Sequence, residues 1–191
     1  MKLLKKKNPI NNIKLLKGFT LVELLVVMAI LGVLVTLVGT SFMSAQMRGR
    51  DAQRKSDLKQ ISSALELFFN DYGTYPSDSD GVIMACPYQT GGEESACTWS
   101  DSLEFKDYFP GTAELRTIYL KKVPMDPSSS YNYYYRVVPG SNNKKFQIFA
   151  HLENTQDKNC IDGNCVNPVS YSCGDALCNF ALTSSNTNAI E

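Results

Sequence analysis

Gly18-Phe19-Thr20-Leu21-Val22-Glu23-Leu24-Leu25-Val26-Val27-Met28-Ala29-Ile30-Leu31 is the stretch that decides how this chain folds. Before it, residues 1 to 18 carry six lysines (Lys2, Lys5, Lys6, Lys7, Lys14 and Lys17) and no acid. After Glu23 no charged residue occurs from Leu24 to Met47, a run of 24. About 20 apolar residues cross a hydrocarbon core of ~30 Å as a helix, so the run can span a membrane. The leader lysines place its N-terminal side in the cytoplasm and the rest of the chain outside, by the excess of positive charge on cytoplasmic flanks. Arg48, Arg50, Arg54 and Lys55 on the far side oppose that signal, but Asp51 and Asp57 dilute them. An ordinary secretory signal peptide shares the basic start and apolar run. Against it stand Glu23 at the head of the run, the run's length, and the lack of a small-x-small cleavage site near Ala45.

The whole chain has 191 residues, with 19 Lys+Arg and 19 Asp+Glu. That length allows one ordinary domain plus an appendage and excludes a multi-domain enzyme. Once the leader's six cations are set aside, 13 basic and 19 acidic side chains remain, a net of −6. Such a balance gives no general pull on nucleic acid.

Beyond Met47 the pattern turns amphipathic. Leu58, Ile61, Leu65, Phe68 and Tyr72 recur at spacings of 3, 4, 3 and 4, one stripe of a helix. Gly73 is placed to cap it. A single helix over 19–72 therefore has an apolar, membrane half, 19–47, and an amphipathic half, 48–73, that packs on a head formed by 74–191. In the head a short helical piece is expected over 101–109, ended by Pro110-Gly111. Strands are expected over 117–123, 131–138 and 145–152. In the last of these Phe146, Ile148, Ala150 and Leu152 alternate with Gln147, Phe149 and His151, which predicts one apolar and one polar face. Pro139-Gly140-Ser141-Asn142-Asn143 reads as the turn of an antiparallel hairpin. Tyr131, Tyr133 and Tyr135 fall on one face and read as packing residues.

All six cysteines (Cys86, Cys97, Cys160, Cys165, Cys173 and Cys178) lie in the head, and an even count in an exported domain points to disulfides. We expect Cys86 with Cys97 and two bridges among the other four. Zinc on the last four is the rival, but C-x4-C-x7-C-x4-C lacks the tight C-x2-C knuckles that zinc favours. No active site is assembled: His151 is the sole histidine, and there is neither a nucleophile motif nor a Gly-rich phosphate loop.

The Gly18-to-Glu23 segment, with its lysine leader and apolar run, resembles the processing site of type IV prepilins and pseudopilins. The resemblance implies a leader over 1–18, cleavage after Gly18 by a prepilin peptidase that also methylates the new amine of Phe19, and Glu23 as the assembly glutamate. The fold it implies is α+β and type IV pilin-like: one long N-terminal helix on a small antiparallel sheet, with a disulfide-rich head. Leu120-Lys121-Lys122-Val123-Pro124-Met125-Asp126-Pro127, then Tyr-rich and Phe146-to-Ala150 segments, is similar to major pseudopilins. Those commonly continue into a calcium loop. Here Asp157, Asp162 and Asn164 offer oxygen ligands without a defensible spacing, so no cofactor is assigned and calcium is retained as a candidate. Many pilins carry a proline in the first half of the helix, whereas this chain has none between Pro9 and Pro76, and Gly32 and Gly39 stand there instead.

The function implied is that of a filament subunit. Its partners are identical or related pilins, the peptidase, an inner-membrane assembly platform and, before assembly, lipid; no nucleic acid is expected for the isolated subunit. It waits as a single-pass protein of the cytoplasmic membrane and ends in an extracellular or periplasmic filament. A surface pilus for adhesion, motility or DNA uptake and a type II secretion pseudopilus remain open within the family. A membrane-anchored, disulfide-stapled binding domain that never polymerises is the alternative outside it.

Overall fold

The computed structural model describes residues 18–92, 94–100, 103–163 and 165–190, with the backbone alone at 37–41. The predicted leader, apart from Gly18, lies outside the described residues. Two compact units divide the chain, Met1–Met43 and Ser44–Glu191. The single helix α1, Leu21–Tyr72, contributes to both. It holds no proline, and it ends where Gly73 takes a φ of 70°. The Gly73 N–H donates to the Phe69 carbonyl at 2.7 Å, the left-handed cap that glycine adopts without a Cβ penalty.

Within the first unit every described side chain from Gly18 to Thr36 is exposed. Among the described residues no helix is long and apolar enough to cross a membrane. Of this charge-free run, the side chains of 24–36 and 42–47 are described.

In the second unit the expected stripe forms one wall of the core. Leu58, Ile61, Leu65 and Phe68 are buried, and Tyr72 packs at the edge. Phe68 is the hub, its ring centroid 4.8 to 5.5 Å from those of Tyr88, Phe105 and Tyr119. The same stripe continues backward, at the same spacing, through buried Arg54 and Asp51. One helix face thus changes from polar to apolar without leaving the interior.

Among the described residues, eight short strands make three antiparallel sheets. β1 (Asp78–Ser79), β2 (Val82–Met84) and β3 (Ala96–Cys97) form the first. β4 (Phe105–Tyr108) and β5 (Leu115–Leu120) form the second. β6 (Tyr134–Val137), β7 (Phe146–Ala150) and β8 (Phe180–Thr183) form the third, in that order.

Two expectations are corrected. The helical piece over 101–109 is strand β4 from Phe105 onward, while Asp101 and Ser102 lie outside the described residues. Phe105 and Asp107 are buried while Lys106 and Tyr108 are half-exposed, a period of two. Pro110-Gly111 closes a hairpin to β5, with the Phe109 N–H donating to the Glu114 carbonyl at 3.0 Å. The second correction is β7, where all five residues are buried. Phe146, Ile148 and Ala150 join the main core, as the alternation predicts. The other face is covered too, because Phe149 packs on the Cys173 and Cys178 segment with Tyr134 and Tyr171 beside it. β8, which the sequence reading did not anticipate, makes β7 the central strand.

The expected hairpin between β6 and β7 is present, with Tyr134 opposite Phe149 and Val137 opposite Phe146. Tyr133 and Tyr135 are buried on one face, whereas Tyr131 bridges to Gly174 at the sheet's margin.

Candidate functional site

The residues expected to direct processing and assembly lie together at the start of α1. Gly18 and Phe19 precede the helix and are exposed, with Phe19 86% accessible. Among the described residues, a Cβ added at Gly18 would meet no atom within 4 Å. Thr20 is the N-cap. The Glu23 N–H donates to Thr20 Oγ1 at 3.2 Å, and the Thr20 N–H donates back to Glu23 Oε2 at 2.9 Å. The Thr20 hydroxyl also donates to Glu23 Oε2, at 2.9 Å. These reciprocal bonds are a capping box, in which each side chain satisfies a backbone amide that the first helical turn leaves unpaired. The sequence reading gave Glu23 a role toward other chains and missed this one, although Thr-x-x-Glu before an apolar run is its written sign. The carboxylate also lies at the positive end of the helix dipole.

A second cluster is built where the helix enters the head. Arg54 is fully buried and surrounded by three carboxylates. Its Nε and Nη2 donate to the two oxygens of Asp126 at 2.7 and 2.8 Å. Nη1 donates to Asp51 at 2.8 Å, and Nη2 lies 2.8 Å from Glu153 Oε1. Arg50 pairs with Glu153 from the solvent side. Asp51 then accepts the backbone N–H groups of Glu153 and Asn154, at 2.9 and 2.8 Å. One turn on, the Tyr133 hydroxyl donates to Asp57 at 2.7 Å. The Tyr131 ring lies 5.2 Å from the Arg54 guanidinium, which closes the cluster with a cation–π contact.

Electrostatics follow from the geometry. Burial works against the Arg54 charge, but the hydrogen bonds and charge of Asp126, with Glu153 and Asp51, overcome it and hold its pKa above the ordinary value. The Arg50 hydrogen bond, and then Arg54 against the opposing effect of burial, brings the Glu153 carboxyl down to about 2. A buried ion pair breaks even only when every polar group is matched, and this one is matched by bidentate contacts and backbone donors. Arg50 and Arg54 read from sequence as a flank opposing the leader lysines. The fold uses them to fasten the helix to loops more than 70 residues away. No local pattern carries that signal.

The cysteines pair as Cys86 with Cys97, Cys160 with Cys165, and Cys173 with Cys178. No free cysteine remains among the described residues. Of the calcium candidates, Asp157 is bound to Lys55 through an ion pair, and Asp162 accepts the Asn167 N–H at 3.1 Å. Asn164 lies outside the described residues. Among the described residues no group of three His, Cys, Asp or Glu side chains could hold a metal ion. His151 Nδ1 lies 2.8 Å from the Leu177 carbonyl, and its ring rests on Tyr131, a packing arrangement.

Comparison with known proteins locates these features. Residues 16–39 match the prokaryotic N-terminal methylation motif. The chain is 34% identical over 124 residues to the type II secretion system core protein G of Pseudomonas aeruginosa, covering 65% of this chain and 75% of that protein. Against core protein G of Aeromonas hydrophila it is 29% identical over 133 residues, 70% of this chain and 80% of the relative. Similarity to the type IV major pilin protein PilA of Myxococcus xanthus is 36% over 69 residues, 36% of this chain and 31% of the pilin. No solved structure matches.

Proposed function

This chain belongs to the family of type IV pilins and type II secretion pseudopilins, and on that premise we propose how it is processed, anchored and polymerised. It is a structural filament subunit and not an enzyme. In the proposed sequence of events the lysine-rich leader holds the N-terminus in the cytoplasm. A prepilin peptidase cuts after Gly18 and methylates the new amine of Phe19. The subunit waits in the membrane by the run from Leu24 to Met47, and an assembly platform moves it into a filament of identical or related subunits.

The observation that carries this reading is the uncovered apolar surface of the first unit. From Leu24 to Thr36 no residue is charged, yet every side chain is exposed. A patch of that extent has to be covered, by lipid before assembly and by neighbouring helices after it, at roughly 25 cal/mol per Å² of apolar surface removed from water. Glu23 supplies the register. A carboxylate at that depth needs a partner, and cleavage creates a cation on Phe19 of each neighbouring subunit. In the single chain Thr20 holds the carboxylate, so a neighbour's amine competes with the helix cap for it.

Within the family a secretion pseudopilus is the better supported reading. Its support is the extent of likeness, 75% and 80% of two core protein G relatives against 31% of the pilin.

Expression of the full chain with its peptidase, followed by shearing and mass spectrometry, tests the proposal. The expected product starts at methylated Phe19, and Glu23→Ala abolishes sheared filaments while leaving the cut in place. Wild-type filament yield from Glu23→Ala removes the assembly role, and an intact, unmethylated leader removes the processing claim.

A further inference from the structure

We propose that Lys55 is a resident cation for the loop over 152–163, and that this head folds independently of calcium. The inference concerns the second unit alone and does not depend on whether the chain polymerises.

Calcium takes six to eight oxygen ligands, mostly carboxylates and carbonyls with a net negative charge to neutralise. The donor set of this loop does not fit it, because two of its three acids already have protein cations and the third accepts a backbone amide. Glu153 is held by Arg50 and Arg54 from α1. Asp157 is held by Lys55, also from α1, and its second oxygen accepts the Asn159 N–H at 2.9 Å. Asp162 is turned toward the Asn167 N–H. Three of the loop's carbonyls are engaged as well. Asn154, Asp157 and Cys160 accept from the N–H groups of Asp157, Cys160 and Gly163 at 3.0, 3.3 and 2.9 Å. These successive turns place backbone oxygens on the loop's own amides, and the Cys160–Cys165 bridge closes the last of them.

Lys55 is suited to the role that remains. An ammonium is a compact charge with three donors on a flexible stem. Its Nζ lies against Asp157 and 5.8 Å from the centre of the Phe180 ring, so it spans α1, the loop and β8 together. It is partly buried, as is Asp157, which limits screening of the pair by salt. Burial works against the Asp157 charge, but Lys55 and the Asn159 N–H together overcome it and hold that carboxyl below its ordinary pKa, so the pair persists at neutral pH. A bound divalent ion would have to displace this ammonium and reverse the loop's turns. The structure therefore assigns to one lysine and one short disulfide the closure that a metal would otherwise provide.

Thermal unfolding of the full chain in detergent micelles tests this, with about 1 mM EGTA against about 5 mM calcium chloride, a level that saturates even weak extracellular calcium sites. The wild-type Tm is expected to be the same in both. Lys55→Met and Asp157→Asn are each expected to lower it by about 2–4 °C, and the double variant to fall no further than the worse single one. Hydrogen exchange provides a second readout should unfolding be irreversible: Lys55→Met speeds exchange over 154–163 and leaves β7 protected. A calcium-dependent rise in the wild-type Tm overturns the proposal. So does a Lys55→Met chain that matches wild type in both Tm and loop exchange.

Discussion

The Arg54 guanidinium meets the Asp126 carboxylate through two parallel hydrogen bonds, 2.7 and 2.8 Å long, with both side chains wholly buried and 72 positions apart along the chain. Removing the cation leaves Asp51, Asp126 and Glu153 facing one another in the interior. Arg54→Met is therefore expected to destabilise by about 3–5 kcal/mol, read as a lowered urea midpoint for the chain in micelles. A loss under about 1 kcal/mol would show that water replaces the guanidinium without penalty.

Acid should loosen the same junction. Glu153 falls from an ordinary 4.5 to about 2 in the folded chain. A carboxyl with a depressed folded pKa contributes stability that is complete above about pH 4.5 and is lost as the pH falls through about 2. Glu153→Gln should flatten urea midpoints across that window, where the wild-type midpoint declines on the order of 2 kcal/mol in equivalent stability. Parallel profiles for the two chains would place the acid sensitivity elsewhere.

Alkali acts on a different cluster. The Tyr72 hydroxyl donates to buried Asp107 at 2.6 Å. Burial, then Asp107, raises its pKa to about 12 against the opposing influence of Arg116. A raised folded pKa contributes stability present below about pH 10 and lost as the pH climbs through about 12. Spectrophotometric titration should find the Tyr72 phenolate missing at pH 11 in the wild-type difference against Tyr72→Phe. An ordinary ionisation there contradicts the geometry.

Two glycines with the same backbone sign should respond unequally. Gly174 has a φ of 88°, and a Cβ on it would lie 2.4 Å from the Ser130 carbonyl oxygen, a backbone atom that cannot swing away. Gly140 has a φ of 77° and nothing within 4 Å. Gly140→Ala is expected to cost about 1 kcal/mol for its left-handed conformation alone. Gly174→Ala should cost at least about 2 kcal/mol, because the segment holding Cys173 must move off Tyr131. Equal losses from the two would mean that segment is free to shift.

The disulfides differ in what they close. Replacing Cys86 and Cys97 together by serine opens a loop of sequence separation 11 and is expected to cost about 2–3 kcal/mol in the chain-entropy account. The Cys173–Cys178 pair, with a separation of 5, closes a shorter loop but also forms the floor beneath Phe149. Its loss should therefore cost more than loop length predicts, measured by urea unfolding of each double variant. An order of losses that follows loop length would show that the cover on β7 adds nothing.

Elements that depend on neighbours along the chain were legible, and those that depend on partners far away were not. The Leu58-to-Tyr72 stripe, the cap at Gly73 and the turn over 139–143 each appear as written, because helical period and turn chemistry act over a few residues. β4 reads as helix in the sequence because Phe105-Lys106-Asp107-Tyr108 is too short for its period to be distinguished. Its strand state comes from β5 and from Asp107 accepting Tyr72, Thr117 and Tyr119. Phe149 looked like part of a polar face because nothing near it announces the cysteine-braced segment that covers it. The Thr20–Glu23 cap is legible in the residues, because Thr-x-x-Glu before an apolar run is local chemistry.

By itself, then, the sequence determined the long helix, the uncharged run after Glu23, the small set of residues at the processing segment and the content of cysteine. All of these follow from local spacing, charge and composition. Only the tertiary structure decided that Arg50, Arg54 and Lys55, which read as a basic flank, pair with Asp126, Glu153 and Asp157, with Arg54 alone fully buried. The reason is physical: a buried charge is tolerated only where opposite charges and backbone donors converge on it, and that convergence comes from loops about 70 to 100 residues away along the chain.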